Sequence, residues 1–131
     1  MKAVILAGGL GRRLKPLTNL LPKPLLPING EQTVLEIQIS QLSKFGFDEI
    51  YIATNYKAEM IESYLGDGSK YGVKLTYSKE TQPLGTCGPI ALLKNNLTEP
   101  FLVMNGDIIT ELNYKEFYDF GINSTSKLSV C

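Results

Sequence analysis

Ala3-Val4-Ile5-Leu6-Ala7-Gly8-Gly9-Leu10-Gly11-Arg12-Arg13-Leu14 is the stretch on which the fold turns. Five apolar residues cut off by glycines read as a buried strand running into a tight, glycine-rich turn. Further along, short apolar runs alternate with helical patterns. Thr33 to Phe45 sets Leu35, Ile39 and Leu42 on one helical stripe, with Gly46 as the stop signal. Glu49 to Thr54 is β-branched and aromatic, hence a second strand. Lys57 to Leu65 reads as a helix closed by Gly66-Asp67-Gly68, Val73 to Tyr77 as a third strand, and Gly88 to Lys94 as a third helix. Phe101 to Met104 makes a fourth strand ending in Asn105-Gly106-Asp107, Tyr114 to Phe120 a fourth helix, and Lys127 to Cys131 a fifth strand. Regular β-α alternation predicts an α/β fold, a Rossmann-like three-layer α/β/α arrangement with a largely parallel sheet. No repeats or linkers divide it, so residues 1–131 read as one domain. The last run breaks off in mid-strand, and the expectation is the N-terminal, nucleotide-binding part of a longer domain.

Composition narrows the partners. The chain is 44% hydrophobic, enough for a real core, and its 13 basic residues balance 13 acidic ones. No bulk field draws in nucleic acid or an anionic membrane, so any phosphate chemistry has to come from a few placed cations. Two cysteines are too few for a disulfide framework, and the opening apolar run is too short for a signal sequence. A cytoplasmic protein is expected. With no histidine in the sequence, histidine triads and histidine metal sites drop out.

Four segments carry candidate chemistry. In an open parallel sheet, ligands bind outside the carboxyl ends of the strands, and the loop after the first strand sits there. Its glycines let backbone N–H groups approach a phosphate chain, which Arg13, with Arg12 beside it, can neutralise. A plain strand-to-helix turn with solvated arginines is the competing reading. The loop lacks the Gly-Lys-Ser/Thr end of a P-loop, and Leu14 stands where a dinucleotide fingerprint has its third glycine. In Pro22-Lys23-Pro24 the prolines restrain a lysine that could serve as a point charge for phosphate, or simply stiffen a surface loop. Asp107, at a strand end, could hold Mg²⁺, or merely cap an Asn-Gly turn. Glu80 to Gly88 joins the third strand to a helix with free N-terminal N–H groups, and could receive a base or ribose.

In this order the four segments resemble the sugar-1-phosphate nucleotidylyltransferase family. Its opening, Ala-Gly-Gly-x-Gly-Thr-Arg-Leu-x-Pro-Leu-Thr followed by Pro-Lys-Pro-Leu-x-Pro, is matched by Ala7 to Thr18 and Pro22 to Pro27, with Arg12 in place of the threonine. Gly66 to Ser69, Leu84 to Gly88 and Asn105 to Asp107 match further family segments. The resemblance implies that Arg13, Lys23 and Asp107 are catalytic, with Asp107 the Mg²⁺ ligand. It implies nucleotide contacts from Leu6, Ala7, Gly8, Gly9, Gly11, Arg12, Glu80, Gln82, Gly85 and Thr86. The substrates implied are an NTP and a sugar 1-phosphate, with the sugar half of the site and a second metal-binding acid following the region represented here. A non-catalytic nucleotide-binding module on the same fold is the rival, and a nucleotide-sugar-dependent glycosyltransferase a more distant one. Pairing with a second copy as a homo-oligomer stays open.

Charge sets the expected mechanism. A sugar 1-phosphate is mostly dianionic near neutral pH, its second pKa being about 6, so its oxygen needs no general base. The opening motif leans towards the guanylyl members. Guanine offers two donors that the acceptor-only Glu80 could receive, whereas thymine's mixed edge suits the Gln82 amide.

Overall fold

The computed structural model describes residues 1–9, 11, 14–28, 30–82 and 84–131. Its centre is the strand read first, β1 (Lys2–Leu6), flanked by β4 (Glu49–Thr54) on one side and β6 (Phe101–Asn105) on the other. Beyond β4 lies β5 (Lys74–Lys79), and all four strands are parallel in the order β5-β4-β1-β6. Ala3, Val4 and Ile5 are sealed from solvent, as expected of a strand covered on both faces. Their alternation divides the core. Ala3, Ile5, Ile50 and Ile52 join Leu35, Ile39, Leu42, Ile61 and Leu65 in the large cluster, whereas Val4 and Tyr51 join Leu93 in a small one.

The helices explain that split. The large cluster is covered by α2 (Val34–Lys44), α3 (Ala58–Leu65) and α5 (Tyr114–Asn123), the small one by Leu93 and Leu97, which follow α4 (Gly88–Leu92). From β1 the chain winds outward through β4 to β5, then returns across the sheet to β6 on the far side of β1. Right-handed crossovers in opposite directions put their helices on opposite faces, so the reversal produces three layers. The topological switch point falls between β1 and β6, where a crevice opens at the carboxyl ends.

The stripe and the stop glycine at α2 act as read, and the structure adds a reciprocal capping box between Thr33 and Glu36. At the other end the Phe47 N–H donates to Leu42 O and the Gly46 N–H to Ser43 O, both at 3.0 Å, a Schellman closure. Between them, full burial of Leu35, Ile39 and Leu42 contributes about 1.5–3 kcal/mol per side chain. Gln38, on the same face, is also fully buried, and its Nε2 donates to Asn105 O (2.8 Å) and Ile108 O (2.6 Å).

Several expectations need correction. Lys127 to Cys131 is not a strand: it makes no ladder with the edge strand β6, and Leu128 and Val130 stay exposed. A β-rich pentapeptide without a backbone partner has nothing to hold it extended. Between the glycine-rich loop and α2 the chain forms a short helix α1 (Leu17–Leu20), a 3₁₀ turn at Lys23–Leu25, and a small antiparallel ribbon of β2 (Pro27–Ile28) and β3 (Gln32–Thr33). None of these was expected, because elements of two to four residues fall below any periodicity signal. The helix expected to start at Lys57 begins at Ala58, Lys57 being its left-handed N-cap. Gly66 to Ser69, part of the family resemblance, lies at the amino end of β5, where Leu75 N–H donates to Asp67 O at 2.8 Å. It shapes the sheet at the rim opposite the cleft.

Glu36 knits this layer together. One carboxylate oxygen accepts from the Thr33 backbone (3.0 Å), Thr33 Oγ1 (3.1 Å) and Tyr64 OH (3.0 Å), the other from Tyr71 OH (3.1 Å). Burial alone would raise its pKa, but these hydrogen bonds outweigh burial and hold it below the ordinary 4.5. A carboxyl whose folded pKa is depressed gives its full stabilisation above its unfolded value, about 4.3, and loses it as pH falls through the folded one. Glu36→Gln is therefore expected to lower stability at pH 7 by about 1–2 kcal/mol. Its urea midpoint should converge on that of wild type as pH falls below about 4. Acid limbs that run parallel down to pH 3 would remove Glu36 from the account.

Candidate active site

Strand register alone brings three of the four candidate segments to one rim, the Lys23 turn joining them from outside the sheet. Leu6 stands level with Ala53 on β4 and Asn105 on β6, and Ala53 with Ser78 on β5. The residues that follow, Ala7-Gly8-Gly9, Thr54-Asn55, Lys79-Glu80 and Gly106-Asp107, therefore emerge side by side. Of these, all but Thr54 and Lys79 line an open cleft of about 480 Å³, with Lys23 and Pro24 closing one side and Gly85, Thr86 and Pro89 another.

Between β1 and β6 the backbones nearly touch. The Gly106 N–H donates to Leu6 O at 2.8 Å. A Cβ at Gly106 would lie 2.9 Å from that same oxygen and 3.3 Å from Ala7 Cα, so only glycine fits. Asp107 follows directly, and its carboxylate accepts from Lys23 Nζ. Both side chains are partly exposed, at 40% and 36%, and Lys23 is the one cation lining the cleft among the described residues. The 3₁₀ turn that starts at Lys23 buries Pro24 and Leu25. Burial of Pro24 and Leu25 anchors the segment that carries Lys23 at the rim.

Glu80 occupies the opposite side. Its Oε2 accepts from Leu84 N–H at 3.2 Å and from Asn55 Nδ2 at 3.5 Å. Its Oε1 would lie 3.5 Å from a Cβ at Gly8, so this acid overhangs the glycine loop. Gly85 takes φ +72° as the chain turns towards α4.

Of the candidate residues, Leu6, Ala7, Gly8, Gly9, Lys23, Glu80, Gly85, Thr86 and Asp107 converge on the cleft. Gly11 stands just outside its lining, and Gln82 is exposed beyond it. Arg12 and Arg13 lie outside the described residues. Sequence reading gave no role to two further side chains. Thr18, almost fully buried, donates to Gly11 O at 3.0 Å, and its methyl would meet a Cβ at Gly11 at 2.7 Å. Asn55 lines the cleft and holds Glu80. The signal for Thr18 was its place in the opening motif; for Asn55 it was its position just beyond the second strand.

No group of three or more His, Cys, Asp or Glu side chains gathers to hold a metal ion among the described residues. A single accessible carboxylate nevertheless fits Mg²⁺, which usually takes one or two protein carboxylates and completes its shell with substrate phosphates and water. Asp107 is such a group. Among the described residues no helix is long and apolar enough to cross a membrane.

Comparison with known proteins bears on family and fold. The family model described as nucleotidyl transferase matches residues 2–131. Mannose-1-phosphate guanylyltransferase 1 of Arabidopsis thaliana is 45% identical over 125 residues, which cover 92% of this chain and 34% of the relative. Mannose-1-phosphate guanyltransferase of Saccharomyces cerevisiae is 44% identical over 124 residues, with the same coverage of each. Among solved structures, HddC from Yersinia pseudotuberculosis complexed with GMP-PN superposes with a TM-score of 0.80 at 33% identity, over 93% of this chain and 54% of that one. The chain thus spans about a third of the length of the curated relatives it matches.

Proposed function

The chain belongs to the nucleotidyl transferase family, and on that premise we propose that it is the nucleotide-binding part of an enzyme that joins GTP to a sugar 1-phosphate, releasing pyrophosphate. One observation carries this reading. Lys23 and Asp107, 84 residues apart in sequence, meet at the switch-point end of the sheet beside the glycine loop. A cation and an acid there, next to exposed N–H groups, suit a triphosphate that arrives with a divalent cation. The names of the relatives, mannose-1-phosphate guanylyltransferases, support mannose 1-phosphate as the acceptor.

The residues divide the work by charge. Gly8 and Gly9, with no side chains in the way, receive the phosphate chain on their backbone N–H groups. Lys23 neutralises phosphate charge as the sugar-phosphate oxygen attacks the α-phosphorus. As that P–O bond forms, the bond from the α-phosphorus to the α,β-bridging oxygen of the triphosphate breaks, and the electron pair leaves on that oxygen with pyrophosphate. Mg²⁺ held by Asp107 would supply further charge neutralisation for the triphosphate. Arg13, in the glycine loop, is proposed as a second cation for the same chain. Glu80 is the proposed reader of guanine, accepting from N1–H and N2–H₂; Gln82, exposed, is the alternative reader for thymine. The free, exposed cysteines Cys87 and Cys131 support a reducing, cytoplasmic setting.

Calorimetric titration with GTP, dTTP, UTP and CTP in Mg²⁺ tests the base, and pyrophosphate release with added mannose 1-phosphate tests the reaction. GTP is expected to bind tightest, and Glu80→Gln to narrow its lead over dTTP by about tenfold, the value of one charged hydrogen bond. Preferential dTTP binding by the wild-type chain would overturn the guanine assignment. Tight GTP binding with no pyrophosphate release from this chain or its full-length gene product would leave a binding module.

A further inference from the structure

Gln38 sits on the core face of α2 among Leu35, Ile39 and Leu42, a position that packing alone would fill with an aliphatic side chain. A buried amide is costly unless its hydrogen bonds are made, and here they are only half made. Both of its bonds among the described residues come from Nε2, to Asn105 O and Ile108 O, and among those residues Oε1 has no partner. Two acceptors on one side require the NH₂ group to face them. Those two carbonyls bracket Gly106 and Asp107. Gln41, one turn further along α2, donates to Thr110 O at 3.3 Å and extends the clamp. The Ile108 N–H also closes back on Asn105 O, at 3.4 Å.

We propose that Gln38 is a positioning residue for Asp107: by gripping the carbonyls on either side, it fixes the turn that aims this carboxylate into the cleft beside Lys23. The turn otherwise rests on its own long Ile108 N–H to Asn105 O bond, on Gly106 against β1 and on the ion pair to Lys23, which is exposed and worth little. Gln38 is the contact that ties it to the rigid helix beneath. The inference rests on the proposed role of Asp107 in nucleotide binding, and its test separates the two.

The experiment measures Mn²⁺ affinity by electron paramagnetic resonance in the presence of GTP, and amide hydrogen exchange without either ligand. Gln38→Met keeps the volume and removes both donors. Expected are at least a tenfold loss of Mn²⁺ affinity and at least tenfold faster exchange at Gly106 and Ile108, with α3 and β5 unchanged. Wild-type affinity together with wild-type exchange at those two amides would overturn the proposal. So would exchange accelerated uniformly across the sheet, which marks a purely structural amide. A wild-type chain that binds no Mn²⁺ with GTP refutes the proposed function, and the exchange pattern still decides whether Gln38 holds the turn. Should Gln38→Met fail to fold, the wild-type side-chain amide protons of Gln38 serve instead. They should become at least tenfold more protected with Mg²⁺ and GTP, and equal protection overturns the proposal.

Discussion

Asp107→Asn is expected to abolish Mg²⁺-dependent GTP binding while leaving the melting temperature within about 4 °C of wild type. The asparagine keeps the shape and loses the charge. Little stability goes with it, because Asp107 is 40% exposed and its ion pair with Lys23 joins two solvated groups; such pairs contribute about 0–1 kcal/mol. Binding is another matter, since in the proposed site Asp107 is the carboxylate that receives the cation accompanying the triphosphate. The partner residue gives a sharper test of the same geometry. Lys23 and a divalent cation compete for one carboxylate, so Lys23→Ala should strengthen Mg²⁺ binding in the absence of nucleotide. The same substitution should weaken GTP binding by about 10- to 100-fold, the worth of a charge-assisted phosphate contact. Calorimetry reads both. Unchanged GTP affinity of Asp107→Asn in excess Mg²⁺ would take this residue out of the site.

How much of this could be read beforehand depended on the length over which each signal repeats. The parallel sheet was legible because Ala3 to Ala7, Ile50 to Thr54 and Phe101 to Met104 are uninterrupted apolar, aromatic or β-branched runs. α2 was legible because the stripe of Leu35, Ile39 and Leu42 repeats at helical spacing up to a stop glycine, Gly46; its capping box at Thr33 was seen only in the structure. Local chemistry made Lys23, Asp107 and the glycine loop candidates with a structural alternative for each, the family resemblance singled them out, and the fold brings them to one cleft. What sequence could not give was anything created by contact between distant segments. Thr18 beneath Gly11, Asn55 against Glu80 and Gln38 under Asn105 and Ile108 are ordinary polar residues until the fold pairs them. Lys127 to Cys131 failed the other way: its composition suits a strand, but a strand is a property of a pair.

The Asn105-Gly106-Asp107 turn is where fold and site are hardest to separate, and Gly106→Ala should damage both. At Gly106 the objection to a side chain is the proximity of β1. A methyl group would stand 2.9 Å from Leu6 O and 3.3 Å from both Ala7 Cα and Ala7 Cβ. The nearest atom is backbone in the central strand, already accepting the Gly106 N–H at 2.8 Å, so it cannot swing aside as a side-chain tip would. β6 must move away from β1, and overpacking of this kind costs about 1–3 kcal/mol. The same movement carries Asp107 with it. A displacement near 1 Å at a positioned group costs about 100-fold, so GTP affinity in Mg²⁺ should fall by about that factor even where the chain stays folded. Gly9→Ala is the control for stability, because nothing lies within 4 Å of a Cβ there; its urea midpoint should stay close to wild type. If Gly106→Ala unfolds at the wild-type midpoint and binds GTP unchanged, the close approach of β6 to β1 is not what sets the position of Asp107.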